Sequence, residues 1–312
     1  MLNSITVTNY KGDTLDISLS KPRESGFLIS NIDGITPDGA SINTTDFGYL
    51  DGAVFNSARM STRNVVLEMY YLIVPEIGLT SIEETRHKAY MYFPLKRKVT
   101  LTFHTDTRTS QITGYVESNS ADVFSENEMG QVSIICPDPY FYEPEIQSAY
   151  IYGIESEFEF PFENDSLTER LLCMSDIRTA DYTYIHYDGD FDIGFELEII
   201  FLESASEYDF SEGLKIVDLN REVSFTIDMS KIKSLYNLEV VHGDKIFISS
   251  VKGNKYIYYW RDGKYTNILN AFNKNMEWLE IYKGDNAYTY LLNDGAEYIQ
   301  LKFNYRSAYE GI

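Results

Sequence analysis

The sequence predicts a mainly β protein with two domains, and three observations support that prediction. Apolar residues alternate with polar ones along most of the chain, and this period of two is typical of strands buried on one face. At 312 residues, the chain is long enough for two domains that each bury a core. Aromatic residues make up 15% of the composition, whereas disordered chains contain few of them. We therefore expect an N-terminal β-sandwich or barrel-like domain followed by a second β-sandwich.

Strands and one helix can be located in the N-terminal half. Residues 99–104 and 132–136 alternate β-branched or aromatic residues with polar ones, so we expect a half-buried strand at each place. Ser81 is followed three residues later by Glu84, which is the spacing of a capping box. The apolar residues after it repeat at helical spacing. The sequence therefore predicts one amphipathic helix over residues 81–93.

Prolines mark the expected boundary between the domains. Pro137, Pro139 and Pro144 stand among aromatic and acidic residues in CPDPYFYEPE, a composition that ends a strand and begins a linker. We place the N-terminal domain at residues 1–150 and the C-terminal domain at residues 151–312.

Tight turns characterise the C-terminal domain. Gly253-Asn254 and Asp262-Gly263 separate alternating segments and supply the positive φ angles that short hairpin turns need. The sequence here predicts a meander of β-hairpins.

The charge of the chain argues against nucleic-acid binding. Lys and Arg number 26 against 48 Asp and Glu, so the net charge of -22 repels phosphate backbones. Residues 155–212 hold 17 acidic residues against Arg170 and Arg178 alone. A divalent cation would relieve such crowding, so a calcium site within this segment stays an open hypothesis.

One acidic segment resembles the start of a calcium loop without completing it. Residues 188–192 read DGDFD, but Ile193 stands where an EF-hand needs Gly and Ile199 where it needs Glu. We expect a polar turn that leads into a strand.

Targeting and membrane signals are also lacking in the sequence. The N-terminus alternates apolar and polar residues from the start, so no secretory signal is predicted and use in a cytoplasm is expected. The longest apolar stretch, residues 65–74, contains Glu68 and is about half the length of a spanning helix. No membrane insertion is predicted. Cys136 and Cys173 lack the spacing of metal ligands and are expected to be free thiols.

The sequence carries no recognisable catalytic motif. Its four histidines form no zinc-binding spacing, and nucleophile elbows, Walker loops and dinucleotide-binding motifs do not occur. We therefore predict no catalytic residue, no metal site and no cofactor. Acid pairs such as Glu157 with Glu159, or Glu196 with Glu198, would suit a glycoside hydrolase. Because residues i and i+2 of a strand share a face, a solvated polar edge explains these pairs better.

Aromatic side chains offer a candidate carbohydrate-binding surface. Tyr256, Tyr258 and Trp260 share one face of an expected strand, and pyranose rings stack on exposed aromatic rings. The opposite face, which carries Ile257, competes with them for the core. Trp278 likewise either packs into the core or is exposed for sugar binding.

The order of the motifs in the first 142 residues resembles the N-terminal domain of the distal tail proteins of long-tailed, non-contractile bacteriophages. The segments that carry the resemblance are NIDGITPDGASI, DGAVFNSARMSTRNVVLEMYY, ETRHKAYMYFP, KVTLTFHTDTRTSQITGYVES and SIICPDPYFY. Its most recognisable marks are Arg63-Asn64, Arg86, Gly114 and residues 136–141.

The C-terminal end resembles the galectin-like, jelly-roll domain of the same family. HGDKIFISSVKGNKYIYYWRDG is followed by an alternating strand after Gly284-Asp285-Asn286 and by a Tyr-rich end. The resemblance covers nearly the whole chain and is weakest over residues 150–182.

This resemblance implies a structural protein of the virion tail that is assembled in the cytoplasm of the bacterial host. Six copies would form a ring at the distal end of the tail tube, with the N-terminal domains lining a channel for DNA. The implied partners are the tail tube protein, the tail-tip hub protein and receptor-binding proteins. A carbohydrate-binding module of a tail or of a cell-surface adhesin is the alternative, although galectin-like domains of this family commonly lack sugar binding. A glycoside hydrolase is a third hypothesis for the function.

Overall fold

A computed structural model describes residues 1–37, 39–49, 51–124, 128–151, 153–155, 176–178, 182–272 and 277–312. The chain divides into two compact units, Met1–Pro144 with Ala308–Ile312, and Glu145–Ser307. The first crossing between units thus lies at residues 144 and 145, near the boundary expected at residue 150, and the last five residues return to the first unit. Glu157, Glu159 and Cys173 lie outside the described residues.

The first unit is built around one long antiparallel sheet. The described strands of this unit, numbered along the whole chain, are β1 (Leu2–Thr8), β2 (Thr14–Ser18), β3 (Phe27–Asp33), β4 (Ala40–Asp46), β5 (Ala53–Met60), β6 (Arg63–Tyr71), β7 (Lys98–Thr105), β8 (Thr109–Ala121), β9 (Met129–Cys136), β10 (Phe141–Tyr142) and β23 (Ala308–Tyr309). The order across the sheet is β2-β1-β7-β8-β9-β6-β3, and β10 joins β8 to β23. Because β2 and β3 end this order, the described strands do not close into a barrel. Among the described strands, β4 and β5 pair only with each other.

The predicted strands and helix of this unit are confirmed. Val99, Leu101 and Phe103 are fully buried, as their alternation indicates. Helix α1 (Ile82–Tyr92) begins at the predicted capping box, where the Glu84 amide donates to Ser81 Oγ and the Ser81 amide donates to Glu84 Oε2. Cys136 is a buried free thiol.

The second unit contains two larger sheets. Its strands are β11 (Gln147–Tyr150), β12 (Gly153–Glu155), β13 (Asp176–Arg178), β14 (Thr183–Tyr187), β15 (Glu196–Phe201), β16 (Leu214–Asp218), β17 (Val223–Ile227), β18 (Lys245–Ser249), β19 (Tyr256–Arg261), β20 (Lys264–Asn267), β21 (Gly284–Leu291) and β22 (Ile299–Tyr305). The six-stranded sheet has the order β11-β22-β15-β18-β19-β20. The four-stranded sheet has the order β14-β21-β16-β17, and β12 pairs with β13.

Buried aromatic rings join these two sheets face to face. Tyr288 of β21 stacks on Phe303 of β22 with ring centroids 5.2 Å apart. Phe195 contacts both rings, at 5.7 Å from Tyr288 and 5.2 Å from Phe303. Because β21 and β22 belong to different sheets, the unit is a β-sandwich. The mainly β prediction is confirmed.

One of the two predicted hairpin turns of the second unit is confirmed. The other is wrong: Ser249 pairs with Tyr256, so a longer loop joins β18 to β19, and in it Gly253 but not Asn254 has a positive φ. Asp262 and Gly263 both have positive φ, and the flanking Arg261 and Lys264 pair across the hairpin, as predicted. Helix α2 (Met229–Tyr236) is not foreseen by the sequence analysis.

Short 3₁₀ turns lie at Pro22–Glu24, Pro75–Ile77, Ala205–Glu207, Leu269–Ala271 and Ala296–Tyr298. No helix in the described part of the chain has both the length and the apolar character needed to span a membrane.

Candidate functional site

A buried arginine holds three distant segments of the first unit together. Arg63 begins β6 and is only 2% exposed. Its guanidinium donates to the carbonyl oxygens of Gly34 at 2.8 Å, Thr36 at 2.7 Å, Pro139 at 2.6 Å and Glu310 at 2.6 Å. A buried cation needs such acceptors, because its desolvation is otherwise costly. Arg63 thereby fixes the chain after β3, the chain before β10 and the C-terminal segment. We call this arrangement the Arg63 clamp.

A second arginine holds the same C-terminal segment. Arg108 donates to the Gly311 carbonyl at 2.8 Å, and its guanidinium carbon lies 4.2 Å from the centroid of the Tyr309 ring. The Tyr309 hydroxyl donates to Glu143 Oε1 at 2.8 Å. The last residues of the chain are therefore anchored to the first unit by backbone pairing, hydrogen bonds and a cation–π contact.

A two-stranded arm leaves this unit next to the clamp. The arm is the β4–β5 hairpin, described over residues 40–49 and 51–60, which follows β3 and returns to β6. An isolated hairpin is marginally stable in water, and extended apolar exposure marks interaction surfaces. The large apolar side chains that the arm exposes are Ile42, Phe47, Tyr49, Val54 and Phe55. We therefore identify the arm as a candidate interaction surface. The sequence offered DGAVFNSARM only as part of a family resemblance, not as an arm.

The candidate aromatic residues of β19 lie on the outer face of the six-stranded sheet. Ile257 and Tyr259 point into the core and are fully buried, which leaves Tyr256, Tyr258 and Trp260 half-buried on the opposite face. The rings of Tyr256 and Tyr258 stack with centroids 5.0 Å apart. The sequence left open which face of β19 packs into the core. In the structure, the face that carries Ile257 does so.

Neighbouring strands extend this aromatic face. Tyr265 of β20 is 59% exposed and contacts Tyr258 and Phe247, at centroid distances of 6.1 Å and 5.9 Å. The Tyr256 hydroxyl donates to Glu196 Oε1 at 3.2 Å. Burial, together with the Glu196 carboxylate, raises the pKa of Tyr256 to about 12. The face is therefore a mixed aromatic and polar surface on which Tyr256 stays protonated at neutral pH.

Trp278 belongs to the segment before β21, not to β19. It is half-buried, and the ammonium of Lys255 lies 5.1 Å from its ring centroid. Lys255 directly precedes β19. Carbohydrate binding by Trp278 or by the β19 residues stays a prediction.

The acid pair Glu196 and Glu198 shares the outer face of β15. Glu198 forms an ion pair with Lys245 at 2.7 Å, and Glu196 accepts from Tyr256. Both carboxylates are thus engaged by side chains of the same sheet, which agrees with a polar surface.

The segment that resembles a calcium loop is held by a histidine. His186 Nε2 lies 3.1 Å from Asp188 Oδ1, and His186 Nδ1 lies 2.5 Å from Asp285 Oδ1. The hydrogen bond with Asp285 and the charge of Asp188 raise the pKa of His186 above its usual 6.5. Within the described residues, no group of three or more potential ligands could hold a metal ion. Much of the acidic segment 155–212 lies outside those residues, so calcium binding there stays a prediction.

Buried side chains hold the turns of the second unit in place. Asn286, one of the residues in the C-terminal resemblance, accepts from the Tyr282 amide and donates to the Tyr282 and Gly284 carbonyls. Asp244 accepts from Arg261 Nε at 2.9 Å and from the Tyr259 hydroxyl at 2.5 Å. These side chains thus connect neighbouring turns and strands of the unit.

The sequence matches no family model and no curated protein. A solved structure, in contrast, shows the same fold. That structure is of a phage tail-hub protein.

The Dit protein (gp 19.1) of phage SPP1, described as a paradigm of the hub adsorption apparatus in phages that infect Gram-positive bacteria, is similar with a TM-score of 0.60. The identity is 11%, and the match covers 97% of this chain and 98% of that one. Chains of the phage P2 baseplate in its activated conformation, with Ca and with Sr, give TM-scores of 0.47 and 0.46 at 8% and 9% identity. They cover 97% of this chain in both cases, and 98% and 97% of their own. The resemblance to phage distal tail proteins is confirmed at the level of the fold.

Proposed function

We propose that this chain is a structural, non-enzymatic protein of a phage or prophage tail tip, and that six copies form a ring at the distal end of the tail tube. The observation that carries the proposal is the fold shared with the SPP1 Dit protein over 97% of the chain. The ring would join the tube to the tail-tip hub and to receptor-binding proteins. Assembly would take place in the cytoplasm of the bacterial host.

The first unit has the kinds of surface that ring assembly requires. A ring of identical subunits needs two different surfaces that meet head to tail. The arm and the terminal strands β2 and β3 are candidate joints, because edge strands pair readily with another chain. The Arg63 clamp fixes the base of the arm.

Charge supports a role in DNA passage. The net charge of -22 disfavours lasting contact with phosphates, so a channel through the ring would let DNA slide without holding it.

Static light scattering on the purified full chain tests the ring. We expect a species near six times 36.0 kDa. A monomer at every concentration, including in the presence of tail tube protein, would contradict the proposal.

A carbohydrate-binding module is the second candidate, and the outer aromatic face of β19 favours it. Glycan-array binding that is lost in Trp260→Ala or Trp278→Ala, with the fold retained, would support this alternative. Absence of glycan binding by the wild-type chain would remove it.

A further inference from the structure

The tip of the arm combines aromatic and acidic side chains. Phe47 and Tyr49 are exposed, Tyr49 completely so, and they lie between the exposed Asp46 and Asp51. We call these four residues the arm tip. Exposed aromatic rings beside negatively charged carboxylates are typical of a surface that binds a partner with apolar and basic side chains.

The same unit exposes a surface of the matching kind. Met91 in the last turn of α1 and Leu95, three residues after the helix, are 68% and 54% exposed, and Tyr10 in the β1–β2 turn is 48% exposed. Asn9 Nδ2 donates to the Met91 carbonyl at 3.4 Å, which brings this turn against the helix. We call Tyr10, Met91 and Leu95 the α1 patch.

Basic residues surround the α1 patch. The Arg97 guanidinium lies 5.2 Å and the Lys11 ammonium 5.7 Å from the Tyr10 ring centroid. Lys96 directly follows Leu95 in the chain, Lys98 lies three residues after it, and both lysines are exposed. Such a concentration of positive charge is unusual in a chain of net charge -22. The acidic arm tip and the basic patch are therefore complementary in both charge and apolar character.

The two surfaces are exposed in a single copy, so they do not cover each other there. The Arg63 clamp holds the base of the arm, which opposes bending of the arm onto its own unit. Two different surfaces that fit each other and belong to the same chain make head-to-tail contacts that either close into a ring or propagate.

We propose that the arm tip of one copy docks on the α1 patch of the next copy. The inference rests on the proposed ring and names the contact that builds it. Phe47 and Tyr49 lie on Tyr10, Met91 and Leu95, and Asp46 and Asp51 face the lysines around them.

Cysteine cross-linking tests this contact in the full-length chain. Cys136 is fully buried, and burial raises the pKa of its thiol to about 12, so it should react little. In a Cys173→Ser background, we expect Tyr49→Cys and Met91→Cys chains to form covalent dimers only when mixed. A chain with both substitutions should give a ladder of up to six subunits. The control pair is Tyr49→Cys with Ile73→Cys, which places an exposed thiol elsewhere on the unit.

A charge exchange gives an independent readout. Asp46→Lys with Asp51→Lys should weaken self-association about tenfold. Adding Lys96→Asp and Lys98→Asp to the same chain should restore it. Loss without restoration would contradict the contact.

The outcomes separate the inference from the proposed function. A hexamer without the Tyr49–Met91 cross-link would overturn the inference and leave the ring standing. Cross-linking of Tyr49→Cys with itself would indicate an arm-to-arm contact and would also overturn the inference. A chain that never self-associates would overturn both.

Discussion

Arg63 illustrates how a single side chain can hold parts of the chain that are far apart in sequence. Its acceptors lie at residues 34, 36, 139 and 310, and the sequence marked Arg63 only as a recognisable residue of the family. Sequence reasoning could not assign this role, because backbone carbonyls carry no signature of their own in a sequence. Burial of an arginine can be inferred only when the groups that accept its hydrogen bonds are known.

Replacing Arg63 with Met should destabilise the first unit by about 3 kcal/mol, because four carbonyls lose a buried donor. Urea unfolding monitored by circular dichroism measures this change. The matched control is Arg59→Met, an exposed arginine of the arm, which should change stability by less than about 0.5 kcal/mol. Equal effects of the two substitutions would contradict the clamp.

His186 should titrate above 6.5, because Asp285 accepts its hydrogen bond and Asp188 adds a second negative charge. A pKa raised on folding means that the protonated pair stabilises the fold fully below about pH 6.5, and that this contribution fades as the pH rises through the folded-state pKa. We expect Asp285→Asn to lower the pKa of His186 in an NMR titration. Asp262→Asn, which removes the same charge from the β19–β20 turn, is the control. An unchanged pKa in Asp285→Asn would contradict the assignment.

The elements differ in how far the sequence predicts them. Helix α1 is predicted because its capping box is a local signal, and the structure confirms both hydrogen bonds of the box. Helix α2 is missed although its caps are also local: Asp228 accepts from the Lys231 amide, and Asn237 ends the helix with a φ of 53°. Its eight residues lie within an alternating β sequence, and that context favoured strands.

The arm is missed for a different reason. Its residues alternate as in any strand, and only tertiary structure shows that Ile42, Phe47 and Phe55 stay more than half exposed. For β19, in contrast, the sequence identified the two alternating faces correctly. Choosing the buried face required the rest of the sandwich.

Strand β8 requires a glycine at position 114, where it packs closely against its neighbour β9. A Cβ on Gly114 would lie 2.6 Å from Ile134 Cγ2, 2.7 Å from Cys136 Sγ and 2.8 Å from the Ile135 carbonyl oxygen. We expect Gly114→Ala to destabilise the protein by about 2 kcal/mol through overpacking. Gly48→Ala, in the arm, is the control because no atom lies within 4 Å of the added carbon. Thermal unfolding compares the two, and equal midpoints would contradict the tight packing at Gly114.

At the scale of the whole molecule, the chain leaves the first unit after Pro144 and returns to it with Ala308–Ile312. The composition change around Pro137, Pro139 and Pro144 lies near the first crossing, although the sequence analysis placed the boundary at residue 150. The return could not be predicted, because β23 is only two residues long and pairs with the equally short β10. Such short strands have no periodicity of their own.

Both ends of the second unit are therefore tied covalently to the first. The proposed ring depends on the first unit, which carries the arm, the Arg63 clamp and the α1 patch. The outer face of β19 belongs to the second unit.

Negative-stain electron microscopy of the purified full chain tests the proposed ring most directly. We predict class averages with six-fold symmetry and a central opening wide enough for duplex DNA. The same sample should lose its rings when Asp46 and Asp51 are both replaced by Lys. Closed two-fold dimers without a central opening, or particles that stay monomeric even after tail tube protein is added, would contradict the ring.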